Sequence, residues 1–157
     1  MAHFDKPQHF IGGKKINLRL AQKKEMKTTT IWKSGHAFDS YKDHSKIEID
    51  AKAGFNPKAL LLSGLAGCTA VDIVDVLEKM RVPFADLRVD VETEQTTEHP
   101  KVFKDIHINY IITTAEENRE KVKKAVDLSL DKYCGVAAML RKNSKMDYTI
   151  TIQAGAE

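Results

Sequence analysis

One long apolar segment bounded by two prolines constrains the fold of this chain most. It begins at Asn56-Pro57, where an asparagine side chain can cap free backbone N–H groups and a proline fits the first helical position. Pro83 ends the segment, so we predict a helix from about Pro57 to about Arg81. Its apolar run at residues 60–70 contains a serine and two glycines and is too short to predict a membrane span.

Residues that alternate between apolar and polar predict strands on both sides of this helix. The strand patterns lie at residues 28–33, 46–50, 86–94, 103–113 and 147–153. A short polar loop separates the third pattern from the fourth, which predicts an antiparallel hairpin. Gly35 and the polar residues 39–45 are predicted to form a turn region.

Two shorter helices are predicted in the C-terminal part. Thr114-Ala115-Glu116-Glu117 has the pattern of a capping box, and it opens a helix with one apolar face. That face consists of Val122, Ala125, Val126, Ser129 and Tyr133. Cys134-Gly135 is predicted to end this helix and to start another that continues to about Lys142. Together the elements predict an α+β fold with mostly antiparallel strands, one long helix and two shorter ones.

The length of 157 residues predicts one globular domain, which we place at residues 26–157. Residues 1–25 are predicted to be a basic extension, in which Ile16, Leu18 and Leu20 alternate as in a strand. Residues 1–27 contain seven basic and two acidic residues. We interpret this excess as a solvated arm rather than a nucleic-acid site, because it has no recognised binding motif. The N-terminus lacks a secretory signal pattern, so the expected location is the cytoplasm.

Cys68 and Cys134 are the two cysteines of the chain. Neither has a second soft ligand close in sequence, and the six histidines show no metal-ligand spacing, so no metal site is predicted. No glycine-rich phosphate loop is present, and no cofactor is predicted. Each cysteine lies in or beside an apolar helical segment. This leaves two interpretations, redox-active thiols or buried inert side chains.

The predicted helices give the two thiols different surroundings. Cys134 precedes the backbone amides of a short helix, which favour a thiolate. Cys68 lies deep inside the long helix, with Asp72 and Asp75 on the same face. These carboxylates disfavour a thiolate at that position unless a cation lies nearby.

Gly64 and Gly67 lie in the same part of the long helix as Cys68. Glycines inside a helix destabilise it, and they are common where another backbone packs closely. We therefore predict close packing of a second helix here, and the helix that follows Cys134 is the candidate.

Two segments resemble the OsmC/Ohr family, which is named for osmotically induced protein C and organic hydroperoxide resistance. The first is Asn56-Pro57-Lys58-Ala59-Leu60-Leu61 leading into Ala66-Gly67-Cys68. The second is Lys132-Tyr133-Cys134-Gly135-Val136 followed by a short helix. The resemblance covers residues 26–152, and both cysteine segments are most similar to a less characterised branch of the family.

The resemblance implies an OsmC-like fold, an intertwined homodimer in which antiparallel sheets wrap around long central helices. It also implies a thiol peroxidase that reduces organic hydroperoxides. In this role Cys68 would be the peroxidatic cysteine, which becomes a sulfenic acid, and Cys134 the resolving cysteine, which forms a disulfide with it. A dithiol reductant of the lipoyl type would then restore both thiols.

The chain departs from the family pattern around the expected site. Better-known members have an arginine on an early strand and a glutamate before the long helix, whereas no arginine occurs here between Arg19 and Arg81. A lysine lacks the bidentate geometry of an arginine. The candidate replacements are Lys33, Lys42, Lys46 and Lys52. The alternative hypothesis is therefore a non-catalytic protein of this fold that binds a small apolar ligand at the dimer interface.

Overall fold

A computed structural model describes residues 26–154 of the chain. Within those residues it contains six strands, three α-helices, a 3₁₀ turn and a π-helical turn. In chain order these are β1 (Thr29–Ser34), β2 (Ala37–Lys42), β3 (Ser45–Asp50), α1 (Pro57–Lys79), β4 (Asp86–Gln95), β5 (Phe103–Thr113), the 3₁₀ turn Glu116–Asn118, α2 (Arg119–Leu128), the π-helical turn Ser129–Tyr133, α3 (Gly135–Leu140) and β6 (Lys145–Gln153). The α+β class predicted from the sequence is confirmed. The predicted strand around Leu18 lies outside the described residues.

The strands form two three-stranded sheets. The first is an antiparallel meander in the order β1-β2-β3. In the second, β4 and β5 form the predicted antiparallel hairpin, with Val91 opposite Ile108. β6 pairs with β5 in parallel, with Tyr148 beside Ile108. A parallel pair needs a crossover connection, and here the crossover carries α2, the π-helical turn and α3 back over the sheet.

The hydrophobic core lies between the helices and the second sheet. Its fully buried aliphatic side chains include Leu65, Ile73, Leu77, Ile106, Ile108, Ile112, Val122 and Val126. Complete burial of one such side chain contributes about 1.5–3 kcal/mol. This core holds α1 against the crossover helices, and so it fixes the relative position of the two cysteines.

The N-terminus of α1 confirms the predicted cap. Asn56 Oδ1 accepts a hydrogen bond from the backbone N–H of Ala59 at 2.9 Å, and Pro57 occupies the first helical position. The predicted capping box before α2 is wrong. The hydroxyl of Thr114 donates to the carbonyl of Pro83 at 2.6 Å, and no side chain caps the 3₁₀ turn or α2. Thr114 therefore joins β5 to the loop that follows α1 instead of capping a helix.

The turn region predicted at residues 39–45 is wrong over most of its length, because residues 37–42 form β2. The reversals lie on either side of this strand, where Gly35 and Asp43 adopt positive φ angles of 49° and 52°. Asp39 in the middle of β2 is buried and contacts Lys33 at 3.2 Å and Lys46 at 3.7 Å. Asp39 and Ser40 interrupt the apolar alternation within β2, and this concealed the strand pattern.

Much of α1 and of the first sheet remains uncovered in the described part of the chain. Trp32, Phe38 and Ile49 lie side by side on one face of the sheet, and Trp32 is 63% exposed.

α1 is long and apolar enough to cross a membrane by length and composition alone, and only 28% of its most apolar 18-residue segment is buried. The close packing predicted at Gly64 and Gly67 is absent among residues 26–154, since a Cβ at either position would meet no atom within 4 Å.

Candidate functional site

Cys68 and Cys134 come together although they lie far apart in the sequence. Cys68 is half-buried on α1, whereas Cys134 is buried, with 3% of its surface exposed, immediately before α3. Both thiols are free. Their Sγ atoms and a carboxylate oxygen of Asp72 all lie within 4.8 Å of one another. Asp72 follows Cys68 by one helical turn, so the two side chains share one face of α1.

The π-helical turn Ser129–Tyr133 places Cys134 at the start of α3. The backbone is extended at Cys134, with φ −72° and ψ 103°, and this ends the turn. The Cys134 N–H donates to the Ser129 carbonyl at 2.8 Å, and Cys134 Sγ accepts a hydrogen bond from the Ala137 N–H at 3.3 Å. The predicted helix break at Cys134-Gly135 is therefore confirmed. The sulfur takes the capping position that an oxygen of serine or aspartate usually occupies.

Ser129 connects the crossover to the acidic residue of the site. It is fully buried, and its hydroxyl donates to Asp72 Oδ2 at 3.0 Å, with the Thr69 carbonyl at 3.5 Å. This hydrogen bond fixes the Asp72 carboxylate beside the two thiols. From the sequence, Ser129 was expected on an apolar helix face, without a partner. A polar side chain on a buried face requires a hydrogen-bond partner, and that signal predicts a polar contact at this point.

The electrostatic environment of Cys134 differs from the one predicted. Burial and, after it, the neighbouring Cys68 raise the pKa of the Cys134 thiol to about 11, while the N–H groups of Ala137 and Val136 act in the opposite direction. The helix N-terminus was expected to favour a thiolate here. Loss of solvent outweighs those backbone dipoles, so the pKa of the Cys134 thiol lies above its ordinary value instead of below it.

Three of the four lysines that the sequence offered as substitutes for the family arginine, all but Lys52, form ion pairs elsewhere. Lys33 and Lys46 both contact Asp39 on the first sheet, and Lys42 contacts its neighbour Asp43. In the described part of the chain no lysine, arginine or histidine forms an ion pair with Asp72. Among residues 26–154 the direct polar partner of the Asp72 carboxylate is therefore the Ser129 hydroxyl and not a cation.

Tyr110 is a buried polar group next to this cluster that the sequence analysis treated only as a strand residue. Its side chain is fully buried on β5, and its hydroxyl has no hydrogen-bond partner among the described residues. Burial raises the pKa of Tyr110 to about 12, with Thr69 lowering it and Cys134 raising it. The phenol is therefore neutral, and it forms part of the wall behind the thiols.

Comparisons with known proteins bear on the fold and the family of this chain. Residues 49–149 match the family model described as OsmC-like protein. Protein YhfA of Escherichia coli strain K12 is 32% identical over 134 residues, which cover 82% of this chain and 99% of that protein.

Solved structures share the fold. A hypothetical protein from Aquifex aeolicus VF5 is 26% identical with a TM-score of 0.77, over 84% of this chain and 98% of that one. The organic hydroperoxide resistance protein OhrB of Bacillus subtilis has a TM-score of 0.57 at 20% identity, over 81% of this chain and 98% of that one, and this likeness shows the fold alone. The matched family model covers more than half of the sequence and includes both cysteines, so this chain belongs to the OsmC/Ohr family of OsmC-like proteins.

Proposed function

We propose that the protein is a thiol-dependent peroxidase that reduces organic hydroperoxides with Cys68 and Cys134. The observation that carries the proposal is the approach of two free thiols to within 4.8 Å across separate elements. A disulfide requires an S–S distance of about 2.0 Å, which rotation of the two side chains can approach. The substrate class comes from relatives whose names refer to organic hydroperoxide resistance.

The two cysteines would act in sequence. The Cys68 thiolate attacks one peroxide oxygen, the O–O bond breaks, and the alcohol leaves with a proton while Cys68 becomes a sulfenic acid. Cys134 then attacks the sulfur of the sulfenic acid. The S–S bond forms, and the sulfenic oxygen leaves as water. An external dithiol, of the lipoyl type in our proposal, restores both thiols by exchange and becomes a disulfide itself.

Exposure supports Cys68 as the cysteine that meets the peroxide. Cys68 is half-buried and lies on the partly open face of α1, whereas Cys134 is enclosed beneath the π-helical turn. A substrate can reach the first sulfur without unfolding the crossover. The enclosed position of Cys134 suits a resolving thiol, which has to reach only its neighbour.

The protein is, in our proposal, a cytoplasmic homodimer. One face of the first sheet carries the adjacent apolar residues Trp32, Phe38 and Ile49, and α1 exposes Leu61 and Val71. Soluble proteins rarely leave contiguous apolar surfaces of this kind uncovered. A second copy whose sheet covers α1 of its partner would bury both surfaces and enclose the cysteine site.

Stopped-flow consumption of cumene hydroperoxide by the reduced protein tests the proposal, with intact mass measured afterwards. The expected result is rapid consumption and the loss of two hydrogens per chain. The Cys68→Ser variant should consume no hydroperoxide above the uncatalysed background. The Cys134→Ser variant should consume one equivalent and then stop, with the mass of one added oxygen.

Circular dichroism of both variants serves as the control, because a loss of activity is informative only in a folded protein. A folded Cys68→Ser protein that is as active as the parent contradicts the proposal. So does rapid turnover by the Cys134→Ser variant without a change in mass, because no second thiol would then be needed for resolution.

Binding of a small apolar ligand without turnover is the second candidate function. It is favoured by an apolar groove of about 210 Å³, whose lining includes Leu61, Val102, Phe103 and Leu140. Native mass spectrometry of the purified protein distinguishes the two functions. A retained ligand together with no hydroperoxide consumption selects the binding function, whereas consumption without a retained ligand selects the peroxidase.

A further inference from the structure

We infer that the reduced protein binds one zinc ion per chain through Cys68, Cys134 and Asp72. This inference goes beyond the proposed peroxidase and does not depend on it, because it requires only the two thiols and the carboxylate. The sequence did not predict the site, because each cysteine was judged by its neighbours in the chain. In the folded chain, each cysteine has the other cysteine as the second sulfur ligand that was missing from its sequence neighbours.

The three ligand atoms lie close enough together for one metal ion to reach all of them. Both Sγ atoms and one oxygen of Asp72 lie within 4.8 Å of one another. Zinc bonds of about 2.3 Å to sulfur and about 2.0–2.2 Å to oxygen place tetrahedral ligands about 3.5–3.8 Å apart. An approach of roughly 1 Å, within the reach of small side-chain rotations, completes three of the four positions. The fourth position is then available to a water molecule.

Groups behind the ligands already orient two of them. Ser129 donates its hydroxyl to Asp72 Oδ2 at 3.0 Å, and the Ala137 N–H donates to Cys134 Sγ at 3.3 Å. Hydrogen bonds of this kind hold metal ligands in position in known sites. Ser129 is fully buried, so its contact with Asp72 is protected from solvent.

The charge and chemistry of the cluster favour zinc over other common cations. When both thiols are deprotonated, the site carries three negative charges, and no cation from residues 26–154 forms an ion pair with Asp72. A divalent ion supplies the missing positive charge. Two sulfur ligands of three disfavour magnesium and calcium, which bind oxygen, whereas two sulfurs and one oxygen suit zinc.

Oxidation would release this ion. When a hydroperoxide oxidises the two zinc-bound thiolates, they give up two electrons and become a disulfide. The hydroperoxide accepts those electrons with two protons and becomes an alcohol and water. A disulfide is no longer an anionic ligand pair, and Asp72 alone does not hold the ion. Zinc binding and the disulfide form of the two cysteines therefore exclude each other at this site.

The test is a zinc titration of the full-length, reduced, metal-free protein against a chromophoric chelator without oxygen or peroxide. We expect one zinc ion per chain. The variants Cys68→Ser, Cys134→Ser and Asp72→Asn should each weaken binding more than Ser129→Ala does, and Ser129→Ala should weaken it by about 10–100-fold. Asp75→Asn is the matched control, because Asp75 lies one turn further along α1, is exposed and is outside the cluster. It should bind zinc as the parent does.

Two further measurements keep the test decisive if a cysteine variant does not fold. Zinc should slow the reaction of the parent thiols with a disulfide reagent, and cobalt in its place should give a sulfur-to-cobalt charge-transfer band that Asp72→Asn alters. Binding at less than one ion per chain, or equal affinity of parent and folded Asp72→Asn, overturns the inference. Hydroperoxide consumption by the metal-free protein is measured separately, so the failure of either proposal leaves the other unaffected.

Discussion

At the residue scale, Tyr110 carries the one buried side-chain polar atom in residues 26–154 that has no hydrogen-bond partner. Its ring packs edge-on against Tyr148, with ring centres 6.1 Å apart. The ring therefore contributes to the core, while the hydroxyl loses its hydration without receiving a hydrogen bond in return. A buried polar group in this state destabilises the fold by about 1–3 kcal/mol relative to a satisfied one.

Replacement of Tyr110 by phenylalanine should therefore not destabilise the protein. Tyr110→Phe keeps the ring contact and removes only the unpaired hydroxyl, so we expect the free energy of unfolding to stay the same or to rise by about 1 kcal/mol. Urea denaturation measures it. Tyr148→Phe is the comparison, because the Tyr148 hydroxyl donates to Asp127, and its loss should cost about 0.5–1.5 kcal/mol. A loss of more than 1 kcal/mol in Tyr110→Phe would show that the hydroxyl has a partner in the assembled protein.

The sequence singled out the two cysteines of the candidate site but not their contacts with other residues. Cys68 and Cys134 were identified because cysteines are rare in this chain and their segments are distinctive. The contact between Ser129 and Asp72 could not be predicted, because it depends on how the crossover packs against α1. The pKa of Cys134 was misjudged for the same reason, since burial is a property of the packed core and not of the local helix start.

At the scale of elements, a hydrogen bond to an ionised carboxylate joins α2 to β6. Asp127 on α2 accepts hydrogen bonds from Lys123 at 2.7 Å, one turn away, and from the hydroxyl of Tyr148 on β6. Lys123 and then Tyr148 lower the pKa of the Asp127 carboxyl below its usual value. The contact therefore stabilises the fold only while this carboxyl is ionised.

This contact makes the stability of the fold depend on pH. Because the folded pKa of Asp127 is lower than the unfolded one, its contribution is present above about pH 4 and disappears as the pH falls through the lower folded value. Asp127→Asn should cost about 0.5–1 kcal/mol at pH 7, a modest value because the carboxylate is partly exposed. The difference from the parent should shrink on acidification. Urea melts at several pH values measure it.

The control for this experiment is Asp105→Asn, because Asp105 is exposed on β5 and forms no ion pair in the described part of the chain. Its effect should be small at every pH. A difference between Asp127→Asn and the parent that stays constant from pH 7 down to pH 3 would show that the ionised carboxylate is not what stabilises the contact.

Helices and strands whose apolar residues repeat regularly along the sequence were predicted well. Elements whose ends or positions depend on polar contacts between distant residues were not. α1 and the β4–β5 hairpin match their predicted bounds closely, because their apolar residues repeat at helical or strand spacing. β2 was missed because a charged residue, Asp39, occupies a buried position in the strand, where its partners are lysines of the two neighbouring strands. The capping box failed because Thr114 has a competing acceptor, the Pro83 carbonyl, which is distant in sequence.

At the scale of the whole molecule, two surfaces of the described chain are uncovered, one on the first sheet and one on α1. Both carry exposed apolar side chains, so each could cover the other in a second copy. The two faces of the first sheet differ. One carries Trp32, Phe38 and Ile49, while the other is mainly polar and carries Asp39 and Glu48 beside Ile31. Such an amphipathic sheet needs a covering layer on its apolar face. The sequence predicted a dimer only through the family resemblance, because the alternation of one sheet does not reveal whether the covering layer belongs to the same chain.

A charge placed on that apolar face should therefore break the proposed dimer. We expect the parent to sediment at twice the mass of one chain at micromolar concentration. Trp32→Glu should shift the protein to the monomer. Trp32 is 63% exposed in the single chain, so a glutamate at this position is hydrated in the monomer. In the dimer the same carboxylate would be buried without a partner. Glu48→Gln is the matched control, since Glu48 lies on the opposite, polar face and should leave the dimer intact. Sedimentation velocity measures both.

A monomeric parent, or a Trp32→Glu protein that remains as dimeric as the parent, would mean that this face is not the interface between copies. If the dimer does dissociate, cumene hydroperoxide consumption by the Trp32→Glu protein should fall with it, because the cysteine site on the open face of α1 would lose its cover.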